Sequence, residues 1–111
     1  SERFMDGTIS VTQTTMPGHM NDAEVGAWCY EALSTAMVAC LKVTRCRSVY
    51  MWDEEVKNDH EWVIQIKTSL ESRDALVSWL TKNHPYDVPE IISWRAHAEP
   101  NYQSWIHNQT E

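Results

Sequence analysis

The residues best equipped for chemistry are three cysteines and five histidines in 111 residues. Cys29, Cys40 and Cys46 can offer thiolates to Cu(I) or Zn(II). His19, His60, His84, His97 and His107 can offer imidazole to most first-row dications. A soft site needs several such donors together, and the spacing contains no CxxC pair and no zinc-type Cys/His pattern. Cys40 continues an apolar stripe, where a cysteine also serves as a small buried hydrophobe. Arg45 and Arg47 flank Cys46 and favour its thiolate, although the position also suits a plain strand start. Asp53-Glu54-Glu55, Asp59 and Glu61 carry hard oxygens for Ca²⁺- or Mg²⁺-like ions, but without an ordered ligand spacing; a solvated hairpin tip is the competing role. His84-Pro85-Tyr86-Asp87-Val88-Pro89-Glu90 sets an imidazole, a phenol and carboxylates on a connector stiffened by proline. His84 there can equally cap the preceding helix.

Composition narrows what these groups act on. The net charge of −7 argues against nucleic acid or an anionic membrane, which need a basic footprint. No apolar run approaches the roughly 20 residues of a membrane span. Ser1–Gly7 shows no signal-peptide pattern. With an odd cysteine count, this predicts reduced thiols in the cytoplasm. At 42% apolar residues, the chain has material for a genuine core.

The elements that would position these residues read as β-α-β-β-α-β with a short terminal helix. Ile9 and Val11 alternate with Ser10 and Thr12, which predicts a strand over Thr8–Thr15 that Pro17-Gly18 breaks. Asn21 with Glu24 forms a capping-box signature. The helical stripe it opens runs from Val25 through Trp28, Cys29, Ala32, Leu33, Ala36 and Met37 to Cys40. Val43–Trp52 and Glu61–Thr68 read as a hairpin, with His19 and His60 in loops or turns. Ser72 is the expected cap of a second helix that Asn83-His84-Pro85 stops. Ile91–His97 is the last strand, and Tyr102, Trp105 and Ile106 are spaced for a helix after Pro100. Such an α+β, ferredoxin-like sandwich covers one sheet face with two helices. Residues 1–7 are expected to be a tail and 8–111 one domain. Six tryptophans, with Val49, Met51 or Trp62 expected on the uncovered face, predict an oligomer.

Ser48-Val49-Tyr50-Met51-Trp52, Ile66-Lys67-Thr68, the His84–Glu90 string, Ala39-Cys40 and Tyr102-Gln103-Ser104-Trp105-Ile106 together resemble the CutA family of divalent-cation tolerance proteins. The resemblance covers nearly the whole chain from Ile9. It implies a PII-like homotrimer in which long hairpins pair with neighbouring subunits. It also implies a link to copper or another divalent cation. The chain departs from the family pattern at Thr44-Arg45-Cys46-Arg47, where a Pro-Gly pair is usual, and at Glu54, where the hairpin turn usually has Gly. The copper site proposed for some members uses several cysteines. Here only Cys40 matches, and Thr14 and Trp79 stand at the other positions.

The expected role is therefore a trimeric binding module for divalent cations or a small molecule. Trp52, Lys67, Tyr86 and Glu90 would line an intersubunit cleft, with Cys40 and His84 as the candidate metal ligands. The alternative is a non-catalytic trimeric scaffold that presents loops to a protein partner. No Ser-His-Asp or Cys-His pairing and no glycine-rich phosphate cradle is present, so an enzyme is not expected. Trp62–Thr68 also lacks the Gly- and Phe-rich signature of RNA-recognition domains.

Overall fold

The computed structural model describes residues 7–110. The first six residues of the expected tail lie outside that range, but Gly7 is tied in, its carbonyl accepting from the Ala98 amide at 2.6 Å. The elements run β1 (Thr8–Pro17), α1 (Asp22–Ser34), β2 (Cys40–Trp52), β3 (Glu55–Thr68), a 3₁₀ turn (Leu70–Ser72), α2 (Arg73–Lys82), β4 (Ile91–His97) and α3 (Pro100–Gln109). The sheet order is β2-β3-β1-β4 with every neighbouring pair antiparallel. This is the ferredoxin-like arrangement the element order predicted.

Alternation along the strands decides what each face buries. Ile64 and Ile66 of β3 and Met16 of β1 pack with Val25 and Ala32 of α1 and with Leu76 and Leu80 of α2. Each such side chain contributes about 1.5–3 kcal/mol by leaving water. The expected apolar pair of β1, Ile9 and Val11, points the other way. It packs with Ala39 and with Ile106 of α3. On the helix-covered face β1 instead carries Thr12 and Thr14, both fully buried. Buried hydroxyls need partners, and they have them: Thr12 Oγ1 lies 2.8 Å from Ser93 Oγ, and Thr14 Oγ1 lies 2.8 Å from His84 Nε2.

Several expected boundaries move. The capping box of α1 is present in both directions, Asn21 accepting from the Glu24 amide and Glu24 from the Asn21 amide. The helix, however, ends at Ser34. Ala36 then takes a left-handed φ of 64°, the reversal usually made by glycine. Cys40 is therefore the first residue of β2 and not the last turn of a helix. Ser72 precedes α2 but does not cap it with its side chain; its hydroxyl donates to the Thr110 carbonyl at 3.0 Å. Ser69 caps the 3₁₀ turn instead, accepting from the Ser72 amide. Asn83 Nδ2, rather than His84, reaches a last-turn carbonyl of α2, that of Trp79, at 2.9 Å.

The largest change is in the hairpin. β3 begins at Glu55, so Val56–His60, His60 included, is strand. β1 pairs with β3 only from Glu61 onward. Arg47–Trp52 and Glu55–His60 thus pair only with each other and form a two-stranded arm, and the molecule measures 47 × 28 × 22 Å. Register puts Val49 and Met51 on the same face as Trp62, Ile64 and Ile66, so they do not belong to the opposite face, which α3 covers in part. Trp62 itself is half-buried there, its indole N–H donating to the Met20 carbonyl at 2.9 Å and its ring stacked by Arg45 at 4.2 Å. Val49, Met51 and Val56 remain 62%, 63% and 69% exposed. At the base of the arm, Gly18 lies against the His60 carbonyl, where an added Cβ would sit 2.1 Å from the oxygen.

The arm turns on Asp53 and Glu54, with φ of 52° and 65°. A two-residue loop with both φ positive is the primed turn that suits strand twist, and it favours Asn-Gly or Asp-Gly. A left-handed L-residue costs roughly 1–2 kcal/mol. Glu54→Gly should therefore raise unfolding free energy by about 1 kcal/mol in urea denaturation; no change or a loss would show that the turn is not strained.

Candidate functional site

A groove of about 820 Å³ runs between the arm and the connector after α2, lined among others by Tyr50, Trp52, Asp59, Glu61, Tyr86 and Glu90. Register explains the convergence. Ser48, Tyr50 and Trp52 stand opposite Asp59, Lys57 and Glu55, so all share one face of the arm. Pro85 and Pro89 hold Tyr86 and Glu90 across from them.

Glu61 is only 9% exposed. Its carboxylate accepts from Ser48 Oγ at 2.7 Å and from Tyr86 Oη at 2.6 Å. Asp59 accepts from Tyr50 Oη at 2.6 Å. Burial, and then the bond to Glu61, push the Tyr86 phenol far above its ordinary range. The bond to Asp59 raises Tyr50 as well. Both tyrosines thus stay protonated and serve as donors at neutral pH. Glu90 accepts from Gln13 Nε2 at 3.0 Å, and Gln13 Oε1 accepts from Gln65 Nε2 at 3.0 Å. This forms a polar ladder across β1 and β3.

His84 anchors the connector. Its Nδ1 accepts from the Tyr86 amide at 3.1 Å, which puts the proton of the neutral ring on Nε2, facing Thr14 Oγ1. The Tyr86 ring lies 5.3 Å from the imidazole. Burial lowers the His84 pKa, opposed by a backbone hydrogen bond at Thr15 and by the charge of Glu61.

Trp52, Tyr86 and Glu90 therefore meet on one chain. Lys67 does not join them. It pairs in register with Val11 and Cys40, and its Nζ lies 3.4 Å from Tyr102 Oη and 5.4 Å from the ring centre. Tyr102 in turn stacks on Trp105 at 5.7 Å. Both ring nitrogens of His84 are engaged, and Cys40 stands beside Lys67. Thr14 serves His84, and Trp79 packs on Trp28 at 5.7 Å. The three thiols are free, and burial raises the Cys29 pKa, which makes that thiol a poor nucleophile. Among the described residues no group of three His, Cys, Asp or Glu side chains could hold a metal ion. The donors of one chain thus do not fit a thiolate-rich copper site. Nor is any helix among the described residues long and apolar enough to cross a membrane. Ser48, Tyr50, Asp59 and Glu61 were not read from sequence as groove residues. Period-two alternation through Ser48–Trp52 and Lys57–Glu61 was the available signal, and it needed the extended hairpin register to become useful.

Two measurements follow from this network. A histidine held neutral in the fold has a folded pKa below its unfolded value, so the unfolded chain binds the extra proton first as pH falls. Stability from His84 is full above about pH 6.5 and is lost as pH falls from there toward the lowered folded value. Thermal melting between pH 7.5 and 5 should show that loss, and His84→Gln should flatten it; an equally steep profile in the variant would assign the loss elsewhere. Tyr86→Phe keeps the ring but removes a donor from the buried Glu61 carboxylate. It should cost about 1.5–3 kcal/mol in urea denaturation, and a cost near zero would mean that water replaces the phenol freely.

The CutA1 divalent ion tolerance protein family model matches residues 11–109. The "Divalent-cation tolerance protein CutA" of Thermotoga maritima is 30% identical over 94 residues, 84% of this chain and 90% of that protein. The crystal structure of CutA1 from Oryza sativa is 31% identical with a TM-score of 0.82, covering 94% of each chain. Two further structures share the fold at lower identity. The "PII-like protein CutA" of Nostoc sp. PCC 7120 has 20% identity and a TM-score of 0.82, covering 92% of this chain and 97% of that one. The "periplasmic divalent cation tolerance protein CutA" of Archaeoglobus fulgidus has 18% identity and a TM-score of 0.84, covering 93% and 99%. By the breadth of the family match, with the β2-β3-β1-β4 sheet and its helices beneath it, this chain belongs to the CutA1 divalent ion tolerance family.

Proposed function

We propose that the chain acts without catalysis, as a homotrimer that binds a divalent cation or a small molecule at clefts between subunits. One observation carries this reading. Trp52, Tyr86 and Glu90 line an open groove, while Lys67 lies toward the other end of the same sheet against Tyr102. A cleft that combines all four needs residues of two chains. The bare arm supports the same reading, because Val49, Met51 and Val56 would each contribute about 1.5–3 kcal/mol if a neighbour covered them. Within this assembly, a cation at Cys40 or His84 would have to draw further donors from neighbouring subunits. Copper is the soft-metal candidate for Cys40, and a harder dication in the groove would have to compete with the donors already on its carboxylates. The free thiols favour the cytoplasm, whereas the Archaeoglobus relative is named periplasmic; cell fractionation separates the two.

The exposed arm also suits a scaffold that offers it to a protein partner, a reading that loses its motive if the arm is covered by self-association. Light scattering on metal-free protein should give three times the chain mass, and Met51→Asp should shift that mass downward. Calorimetry with Cu(II), Cu(I), Zn(II) and candidate metabolites should show a saturable site. A monomeric mass with no saturable heat for any of them would contradict the proposal.

A further inference from the structure

The groove holds an electrostatic imbalance that its own chain does not correct. Asp59, Glu61, Asp87 and Glu90 line it together with one cation, Lys57. Lys57 Nζ is committed elsewhere, 3.1 Å from Glu55 Oε2. Neither the Lys57–Glu55 nor the Arg73–Asp74 ion pair includes a groove carboxylate. Glu61 is the sharpest case. It is nine-tenths buried, yet its donors are neutral hydroxyls, those of Ser48 and Tyr86. A buried carboxylate is ordinarily paired with a cation.

The walls indicate which cation fits. A bare dication such as Mg²⁺ needs several oxygens stripped of competing donors and keeps much of its water. Here Ser48 and Tyr86 each occupy an oxygen of Glu61, Tyr50 occupies one of Asp59, and Gln13 occupies one of Glu90. The tyrosine protons are held tightly. The described residues bring no three metal donors together. The remaining surface is aromatic and aliphatic: Tyr50, Trp52, Tyr86, Val49 and Val88. Such a lining offers a metal ion few open oxygens but suits an ammonium with a hydrocarbon body, which gains from aromatic faces and from carboxylates at longer range.

We propose that the groove between the arm and the 85–90 connector binds an organic ammonium ion, with Trp52 and Tyr86 against its hydrocarbon part and Glu61 and Glu90 as counter-charges. This rests on the reading of the groove as the ligand site and names the ligand class. It also lets Lys67 of a neighbouring copy act as a competitor for the same charge.

The test is calorimetry on the intact full-length oligomer at fixed ionic strength. The probes are 1,4-diaminobutane, tetramethylammonium, MgCl₂ and ZnCl₂. The expected result is one saturable site per chain for both ammonium probes and none for MgCl₂. Trp52→Leu and Glu90→Gln should each weaken the ammonium site at least 10-fold while circular dichroism stays unchanged. Both residues are exposed, so these variants report the site even if Glu61→Gln fails to fold. Ammonium heats equal to NaCl dilution overturn the inference. If ZnCl₂ saturates and the same variants weaken it, the groove stands as a cation site but for a metal. If no probe saturates, the groove fails as a cation site for both classes. If no probe binds and Glu61→Gln splits the oligomer, the cation is supplied by a neighbouring chain, which also overturns the inference.

Discussion

Residues Glu61–Lys67 of β3 pair with β1 on one side and with β2 on the other, whereas Glu55–His60 have β2 alone. This single strand belongs to two structures at once. Its inner half is clamped by Ile64 and Ile66 beneath α1 and α2. A slip of one residue would turn those side chains out and Val63 and Gln65 in, so the register is strongly specified. The outer half inherits that register without any core of its own. Two-stranded ribbons are marginal in water when nothing packs on them. The arm is therefore where this chain depends on further contacts, and it is also one wall of the groove.

The connector forms the other wall and is coupled to the arm through Glu61. His84 accepts the Tyr86 amide and faces Thr14, and Tyr86 reaches across to Glu61. An imidazolium could not accept that amide, so protonation would strain the same connector that places the phenol. The groove thus combines three properties that reinforce one another: a buried carboxylate, donors that keep their protons, and a backbone fixed by two prolines. Hydroxyl donors offset part of the cost of burying Glu61 but leave its charge uncompensated. That residual charge is the chain's clearest signal toward a cationic occupant.

The element order and the α1 cap were legible because they are local. Asn21 and Glu24 lie three residues apart and satisfy each other's amides whatever the rest does. The end of α1 was not legible. Ala36 adopts the left-handed conformation without being glycine, and the apolar spacing continued through Met37 to Cys40 by coincidence. The arm was missed for a different reason. Alternation of apolar and polar residues records burial, and Val56–His60 joins neither core cluster of the described residues. Likewise Thr12 and Thr14 hide a core-facing strand behind polar side chains, because Ser93 and His84 supply their partners from β4 and the connector. Of the candidate site, the proline-rich string and Trp52 stood out by residue type. Glu61 stood out only as one of the hard-oxygen donors and Tyr50 only within the family string, since only a hairpin longer than its apolar pattern brings them opposite Tyr86. Lys67 is a different case: within its own chain it lies against Tyr102, so a place in an intersubunit cleft depends on a neighbouring copy.

We propose that other copies of this chain complete the arm. Native-state hydrogen exchange tests it most directly, read at the β2 amides of Ser48–Trp52 that point away from β3. These outward amides should exchange slowly at high protein concentration, and fast in an arm variant that remains folded but monomeric. Fast exchange at every concentration, with the core amides of Ile64 and Ile66 still protected, would contradict it.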